Sequence, residues 1–411
     1  MNKEGSTLRE YNDNDKGLFD FSNKVHELKN EAEYFVNNPK ELRGQCNNEI
    51  IKDKEKVYKN RRLDVPKVDS YAQKMVYYKG FLKYKDRLKN YVKSTEPTFS
   101  SSRPYMPTIM DIEPNSRCNF RCKMCHVSLW EKGKRAEDMS YEQLIDFIDK
   151  NNYLTEVKLH GMGEPFLHRS YIDMIQHLDK RLIWSRTTTN GSLLHKKDNF
   201  IKLIDSNIGE VQCSVDGATK EVFESIRVKS KFEKVFDNLK LLNEYDNTKD
   251  RTHTRMWVVL QQENIHQLYD FVYLAKEMGF KRLSFNSTLN DWGRDEWDVR
   301  NSKKRINGLS EEDHDKLIIL SQELDIDITL WEQTGSYGTD KNNNLCPWVF
   351  SRPYITSDYK IVPCSMIADP RVINFGDADD FQKAWNSFEY QEFRKSHLDK
   401  NIPNCCKNCY S

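Results

Sequence analysis

The stretch EPNSRCNFRCKMCHVSLW, residues 113–130, places Cys118, Cys122 and Cys125 within eight positions and offers no fourth cysteine nearby. A closed structural zinc site takes four ligands, so a triplet of thiolates points to a different metal group. A cubane [4Fe–4S] cluster has four irons, each bound by sulfur, and three cysteines leave one iron open to an exchangeable ligand. A zinc site completed by His126 or by a distant cysteine is the competing reading, and it would more naturally show paired CxxC units.

The triplet follows TIMDIE (108–113), which opens a strand-and-helix rhythm. Strands are predicted at 108–113, 155–160, 182–188, 210–215, 255–261 and 281–286, with helical periodicity at 140–150, 170–180, 196–205, 231–245 and 264–278. Six such alternations predict a parallel α/β sheet, open or curled into a barrel. The unusual residues fall at strand C-terminal ends: HGMGEPFL (160–167) after the second, TTNGSLL (188–194) after the third, CSVDG (213–217) closing the fourth, then Gln261 and Asn286. In parallel α/β folds that edge collects ligands and catalytic groups. Within the fourth strand Cys213 alternates with Gln212 and Ser214 and so faces the core. Asp216 either caps the next helix or binds a ligand.

Upstream, residues 1–18 are polar and predicted disordered, while 19–36 and 68–93 carry apolar residues at helical spacing. STEPTFSSSRPYMP (94–107) reads as a linker. Across 411 residues the net charge is +1, which gives no global pull toward nucleic acid or anionic membrane. No apolar run spans a bilayer and the N-terminus lacks a signal peptide, so a cytoplasmic protein is expected. Ten cysteines in that compartment suit metal or redox chemistry better than disulfides. Cys346, Cys364, Cys405, Cys406 and Cys409 form a second group far from the triplet. Cys46 has no role assigned.

The ordered set Cx3Cx2C, GMGEP, TTNG and SVDG, over residues 108–300, resembles the radical S-adenosylmethionine (radical SAM) superfamily. The resemblance implies an α/β fold, a partial (β/α)6 barrel, with SAM chelated to the open iron and cleaved to a 5′-deoxyadenosyl radical. It implies that Cys118, Cys122 and Cys125 bind the catalytic cluster. Gly161, Gly163 and Glu164 match the turn that meets the methionyl amino group, Met162 replacing a glycine, with the Glu164 side chain as the expected contact. Ser214 and Asn190 match positions near the methionyl or ribose groups. Arg227 in VFESIR matches an arginine that neutralises the SAM carboxylate, and Met124 the position whose backbone contacts adenine.

CPWVFSRPYITSDYKIVPC (346–364), a helix near 378–396 and NCCKNCYS (404–411) resemble the SPASM and twitch extensions of this superfamily, which hold auxiliary iron–sulfur clusters. Cys346, Cys364, Cys406 and Cys409 are the implied ligands of one [4Fe–4S] cluster, with Cys405 an alternative to Cys406, and a zinc knuckle is the competing reading. The cysteine count favours the shorter twitch type. Tyr359 stands where the family usually has glycine.

The organisation expected is a helical N-terminal extension and linker (1–107), a radical SAM core (108–300) and a small twitch/SPASM-like domain (301–411). Residues 287–344, with NDWGRDEWD and LWEQTGSYGTD, would bridge the two sites and contact substrate. The expected reaction is a two-electron oxidation of a small polar molecule such as a sugar, cyclitol or nucleotide, driven by a reductant such as flavodoxin or ferredoxin. A SPASM-type maturase acting on a peptide, and a non-catalytic electron-transfer protein, are the alternatives.

Overall fold

In the computed structural model, which describes residues 20–63, 70–96, 99–130, 137–331, 337–339 and 345–410, all six predicted strands form. They are β1 (Ile109–Ile112), β2 (Glu156–Leu159), β3 (Trp184–Thr189), β4 (Glu210–Ser214), β5 (Thr254–Val259) and β6 (Arg282–Asn286), all paired in parallel. A seventh parallel strand, β7 (Asp327–Trp331), pairs with β6 inside the stretch expected to be a bridging loop. Its signal was only a short alternation, with Ile326, Ile328 and Leu330 buried. A hairpin, β8 (Tyr354–Ile355) and β9 (Ile361–Val362), adds to the other edge, β8 running parallel to β1. The sheet order is therefore β7-β6-β5-β4-β3-β2-β1-β8-β9.

Alternation gives this sheet two unlike faces. Met110, Ile112, Val157, Leu159, Val211, Cys213, Met256, Val258, Leu283 and Phe285 point into one large core, Cys213 among them as the alternation predicted. Helices α5 (Tyr141–Lys150), α6 (Tyr171–Lys180), α7 (Asn199–Asp205), α8 (Lys220–Ile226), α9 (Phe232–Asp246) and α10 (Asp270–Glu277) supply the rest of that core, between successive strands. The opposite face carries Asp111, Lys158, Arg186, Gln212, Arg255 and Thr329, and its charges are cross-paired: Arg352 to Asp111 at 2.7 Å, Arg186 to Glu156 at 2.7 Å. Helices α11 (Asp295–Ser302) and α12 (Glu311–Leu324) connect β6 to β7, and α13 (Trp348–Ser351) leads into β8. The single helix expected near 378–396 is two, α14 (Phe381–Ala384) and α15 (Phe388–Leu398), interrupted before the Ser387 N-cap.

The N-terminal extension is helical as predicted, with α1 (Phe21–Asn37), α3 (Tyr71–Lys83) and α4 (Lys85–Ser94). Between them lies α2 (Pro39–Asn60), which the sequence reading missed because its surface is polar nearly all round and only Leu42 and Cys46 are buried. Cys46 thus belongs to a second small core with Tyr77, Tyr78, Phe81 and Trp184. That core seats the extension on the N-terminal end of β3, and Gln73 Nε2 and Tyr77 Oη both donate to Glu156 Oε2 at 3.1 Å. No helix among the described residues is long and apolar enough to cross a membrane. The predicted disordered N-terminus, residues 97–98 of the linker, and residues 332–336 and 340 of LWEQTGSYGTD lie outside the described residues.

Candidate functional site

The cysteine loop leaves β1 and is pinned by its backbone to the end of α8: Arg121 N–H donates to Val228 O (2.8 Å) and Lys123 N–H to Ile226 O (3.0 Å). This brings Arg227 against Cys118 and Cys122, whose charges interact with it. The three thiols are near enough to feel one another, and burial pushes Cys118 up to about 12 and Cys122 higher still, against the pull of Arg227. Three converging thiols beside a guanidinium therefore fit a cluster with one open iron.

Arg227 is not free for a ligand in the way the sequence implied. Its Nη2 lies 2.6 Å from Asp216 Oδ2, both side chains buried, and Nε has no partner among the described residues. Asp216 caps nothing: its Oδ1 accepts Val259 N–H at 2.8 Å, and Thr219 is the N-cap of α8.

The GMGEP turn also departs from expectation. Glu164 is buried with its carboxylate occupied inside the protein, Oε1 accepting Thr189 Oγ1 (2.7 Å) and Phe166 N–H (3.4 Å), and Oε2 accepting Asn190 N–H (2.8 Å). Glu164 thus laces the turn after β2 to the turn after β3, and burial raises its carboxyl to about 7 against those hydrogen bonds. Its own backbone holds the cysteine loop, Glu164 N–H donating to Arg117 O (2.7 Å) and its carbonyl accepting from Asn115 Nδ2 (3.1 Å). The glycines follow from crowding. A Cβ on Gly161 would stand 2.3 Å from Glu113 Cγ, and one on Gly163 2.4 Å from Asn115 O. Met162 fits because its side chain turns into a small cluster with Val127, Tyr354 and Val362.

Glu113 is the site residue that sequence reasoning passed over, although it begins the opening stretch. Buried at the end of β1, its Oε1 accepts Met162 N–H (2.7 Å) and its Oε2 accepts Ser357 N–H (3.1 Å) in the β8–β9 hairpin. Burial raises it to about 7. Asn190, expected near the methionyl or ribose groups, reaches the cysteine loop, with Nδ2 at 3.1 Å from Asn119 Oδ1 and 3.9 Å from Cys118 Sγ. Ser214 ends β4 on the polar face, and Met124 presents a carbonyl that accepts from Asn301 Nδ2 at 3.4 Å. Gln261 is wholly buried beyond β5, and neither Oε1 nor Nε2 has a partner among the described residues.

The C-terminal thiols also converge. Cys406 is buried and interacts with Cys346 and Cys364, Cys409 with Cys364, and Cys405 Sγ sits 4.0 Å from Cys406 Sγ while its Cβ crowds Gly293. Burial pushes Cys346, Cys364 and Cys409 up to about 12. Tyr337 and Tyr410 close over them, Tyr410 Oη accepting Cys346 N–H at 2.9 Å. His126 packs against Trp130, Trp292 and Trp297, and Trp130 and Trp292 join the small cluster that includes Cys118 and Cys125. Trp292 and Trp297 come from NDWGRDEWD, which thus meets the cysteine loop.

Residues 112–282 match the family model of the radical SAM superfamily, and residues 346–410 match SPASM, an iron–sulfur cluster-binding domain. The second match names the SPASM type where the cysteine count had favoured twitch. The chain is 34% identical over 109 residues to the tungsten-containing aldehyde ferredoxin oxidoreductase cofactor-modifying protein of Pyrococcus furiosus, covering 26% of this chain and 30% of that protein. It is 27% identical over 194 residues to the mycofactocin maturase MftC of Mycolicibacterium smegmatis, 47% of each. It spans less than half the length of these curated relatives. Among solved structures, Streptococcus suis SuiB bound to S-adenosylmethionine shares the fold with a TM-score of 0.55 at 16% identity, over 70% of this chain and 68% of that one. SuiB bound to precursor peptide SuiA gives 0.53 at 14% identity, over 80% and 74%. Radical SAM domains bind a [4Fe–4S] cluster and SAM, and SPASM domains bind auxiliary iron–sulfur clusters. The chain accordingly carries a radical SAM domain at residues 112–282 and a SPASM iron–sulfur domain at residues 346–410.

Proposed function

We propose that this protein is a radical SAM enzyme that modifies a peptide, with Cys118, Cys122 and Cys125 holding the catalytic cluster and Cys346, Cys364, Cys406 and Cys409 an auxiliary one. The observation that carries the peptide reading is the SPASM match at residues 346–410. The partial likeness to a named maturase supports it. The sugar, cyclitol or nucleotide substrate expected from the sequence loses its main support with the twitch assignment. When bound, a cluster with SAM supplies reductive cleavage to a 5′-deoxyadenosyl radical, and a second cluster supplies an acceptor for the substrate's remaining electron.

The chain's own residues bind and orient. Glu164 rigidifies the turn after β2, whose backbone would meet the methionyl amino group while the carboxylate is occupied by Thr189 and Asn190. Arg227, with its charge met by Asp216, retains Nε for a carboxylate. Gln261 offers an unpaired amide donor and acceptor to a bound molecule. The packed rings of His126, Trp130, Trp292 and Trp297 would shield the catalytic thiols from water on one side.

The test is 5′-deoxyadenosine formation by the anaerobically reconstituted protein with SAM and a low-potential flavodoxin or ferredoxin, supplemented with the small-polypeptide fraction of a host extract. Stimulation that protease treatment of the fraction abolishes supports a peptide substrate. Stimulation that survives protease restores the small-molecule reading, and absence of any SAM cleavage returns the protein to an electron-transfer role.

A further inference from the structure

The N-terminal ends of β3 to β6, together with α2 and α3, enclose a cavity of about 1000 Å³ on the polar face of the sheet. It opens at the far end of the strands from the cysteine loop. Its wall is cationic, with seven Lys and Arg against three Asp and Glu. The sheet contributes Arg186, Arg255 and Arg282, the turn before β5 contributes Arg251, and the helices contribute Arg43 and Lys79 at the rim.

Those charges are only partly matched from within: Arg186 pairs with Glu156 at 2.7 Å and Lys249 with Asp205 at 2.8 Å. Arg255 and Arg282 share the single carboxylate of Glu210, each at 3.2 Å. Arg251 donates to the carbonyls of Ile208 (2.7 Å) and Gly209 (3.0 Å), and no carboxylate among the described residues pairs with it. Two buried donors on the wall, Arg186 Nε and Trp331 Nε1, have no partner among the described residues. A buried donor without an acceptor is destabilising unless water or a ligand supplies one. The volume is far larger than one small anion needs and falls in the range of sites for extended ligands. Tyr71, Trp184 and Trp331 add aromatic faces.

We propose that this cavity anchors a carboxylate-rich segment of the peptide substrate, which then follows the polar face toward the catalytic edge. The identity of the ligand as substrate rests on the peptide reading above. The cavity wall already includes Trp331, the last residue of β7, and Gln212 in the middle of β4. From Gln212 to Asp216, the partner of Arg227, is four residues, or about 13 Å at strand spacing. An extended peptide covers that in about four residues. Acidic residues of the substrate therefore stand roughly four positions from the residue that is modified.

The test is fluorescence anisotropy of labelled hexaglutamate with the reconstituted full-length protein at low ionic strength, hexaglutamine serving as the neutral control. The expected result is binding of hexaglutamate alone. It weakens at least tenfold in the rim variant Arg43→Glu/Lys79→Glu and less than twofold in Lys85→Glu/Lys89→Glu, which makes the same charge change on exposed α4. Circular dichroism establishes that both variants fold. No binding, or equal loss in both variants, overturns the proposal. Full displacement by millimolar inorganic phosphate overturns it in favour of a phosphate site. Binding is read without turnover, so it succeeds or fails independently of the extract experiment.

Discussion

Replacing Glu164 separates its two possible roles. Glu164→Ala removes the acceptor of two well-formed buried hydrogen bonds, from Thr189 Oγ1 at 2.7 Å and Asn190 N–H at 2.8 Å, and of a longer one from Phe166 N–H. Each buried donor left without an acceptor costs about 1–3 kcal/mol, so the gross loss is about 2–6 kcal/mol. Burial lifts the carboxyl to about 7, so at pH 5, where it is protonated in the folded chain, relief of its burial offsets only about 1 kcal/mol and leaves a net loss of about 3 kcal/mol. Glu164→Gln keeps one acceptor but turns an NH2 group toward another donor, for an intermediate loss of about 1–2 kcal/mol. In thermal melts of the cluster-free, reduced protein at pH 5, the alanine variant should unfold about 6 °C early, on about 2 °C per kcal/mol for a chain of this size. Hydrogen exchange at the Asn190 amide should accelerate in the same order. If Glu164→Ala melts like the parent and keeps Asn190 protected, yet no longer binds SAM, the carboxylate contacts the cofactor directly and the lacing role is wrong.

Four further outcomes are expected. Anaerobic reconstitution should give about 8 iron per chain, and about 4 in a Cys118→Ala/Cys122→Ala/Cys125→Ala variant; about 4 and none would leave the C-terminal thiols without a cluster. Gly163→Ala, whose Cβ would lie 2.4 Å from Asn115 O, should lose iron at the catalytic site while the auxiliary site stays loaded, as read by iron analysis and electron paramagnetic resonance. Glu113 and Glu164 are both raised to about 7 from ordinary values near 4.5, so the folded chain binds more protons than the unfolded one between those values. The contribution of these two carboxyls to the stability of the cluster-free protein is fully present below about 4.5 and is lost as pH climbs to about 7, by roughly 3 kcal/mol per carboxyl as an order of magnitude; over that window denaturation of Glu113→Gln should show a flatter pH dependence. Tyr359 sits at φ +66°, so Tyr359→Gly relieves about 1–2 kcal/mol of backbone strain. It also empties a buried aromatic position packed on Phe147, worth about 3–5 kcal/mol. A melt should therefore show net destabilisation despite glycine being usual there.

What the sequence disclosed and what it withheld divide along range. The strands β1 to β6 were legible because each alternates or runs apolar within its own few residues, and the cysteine triplet and GMGEP are local words. Helix α2 was hidden because its surface is polar and tertiary contacts hold it, among them Lys54 to Asp327 on β7 and Arg61 to Asp315 at 2.5 Å. Strand β7 was hidden because five residues of alternation do not stand out from a polar loop. The partners of Glu164, Asp216 and Arg227 within the fold were hidden for another reason. An acid or arginine in a motif reads as a ligand contact, whereas its partner in the fold, Thr189 for Glu164 or Asp216 for Arg227, is visible only once turns after different strands meet.

Glu113 makes the same point across the greatest distance and bears on how the two thiol sites are held in register. Its two oxygens accept from Met162 and from Ser357, residues 49 and 244 positions away. The strand that carries it pairs on one side with β2, which feeds the GMGEP turn, and on the other with β8, which feeds the hairpin before Cys364. Both sets of thiols are therefore referenced to β1 itself, through backbone hydrogen bonds and one shared buried carboxyl, and not through a flexible connection between separately folded units. Because that carboxyl is already satisfied from both sides, a displacement of the hairpin must release a hydrogen bond in the interior, at a cost of about 1–3 kcal/mol. Electron transfer between fixed sites needs a fixed separation, and the pairing of β8 with β1 supplies it from ordinary sheet chemistry.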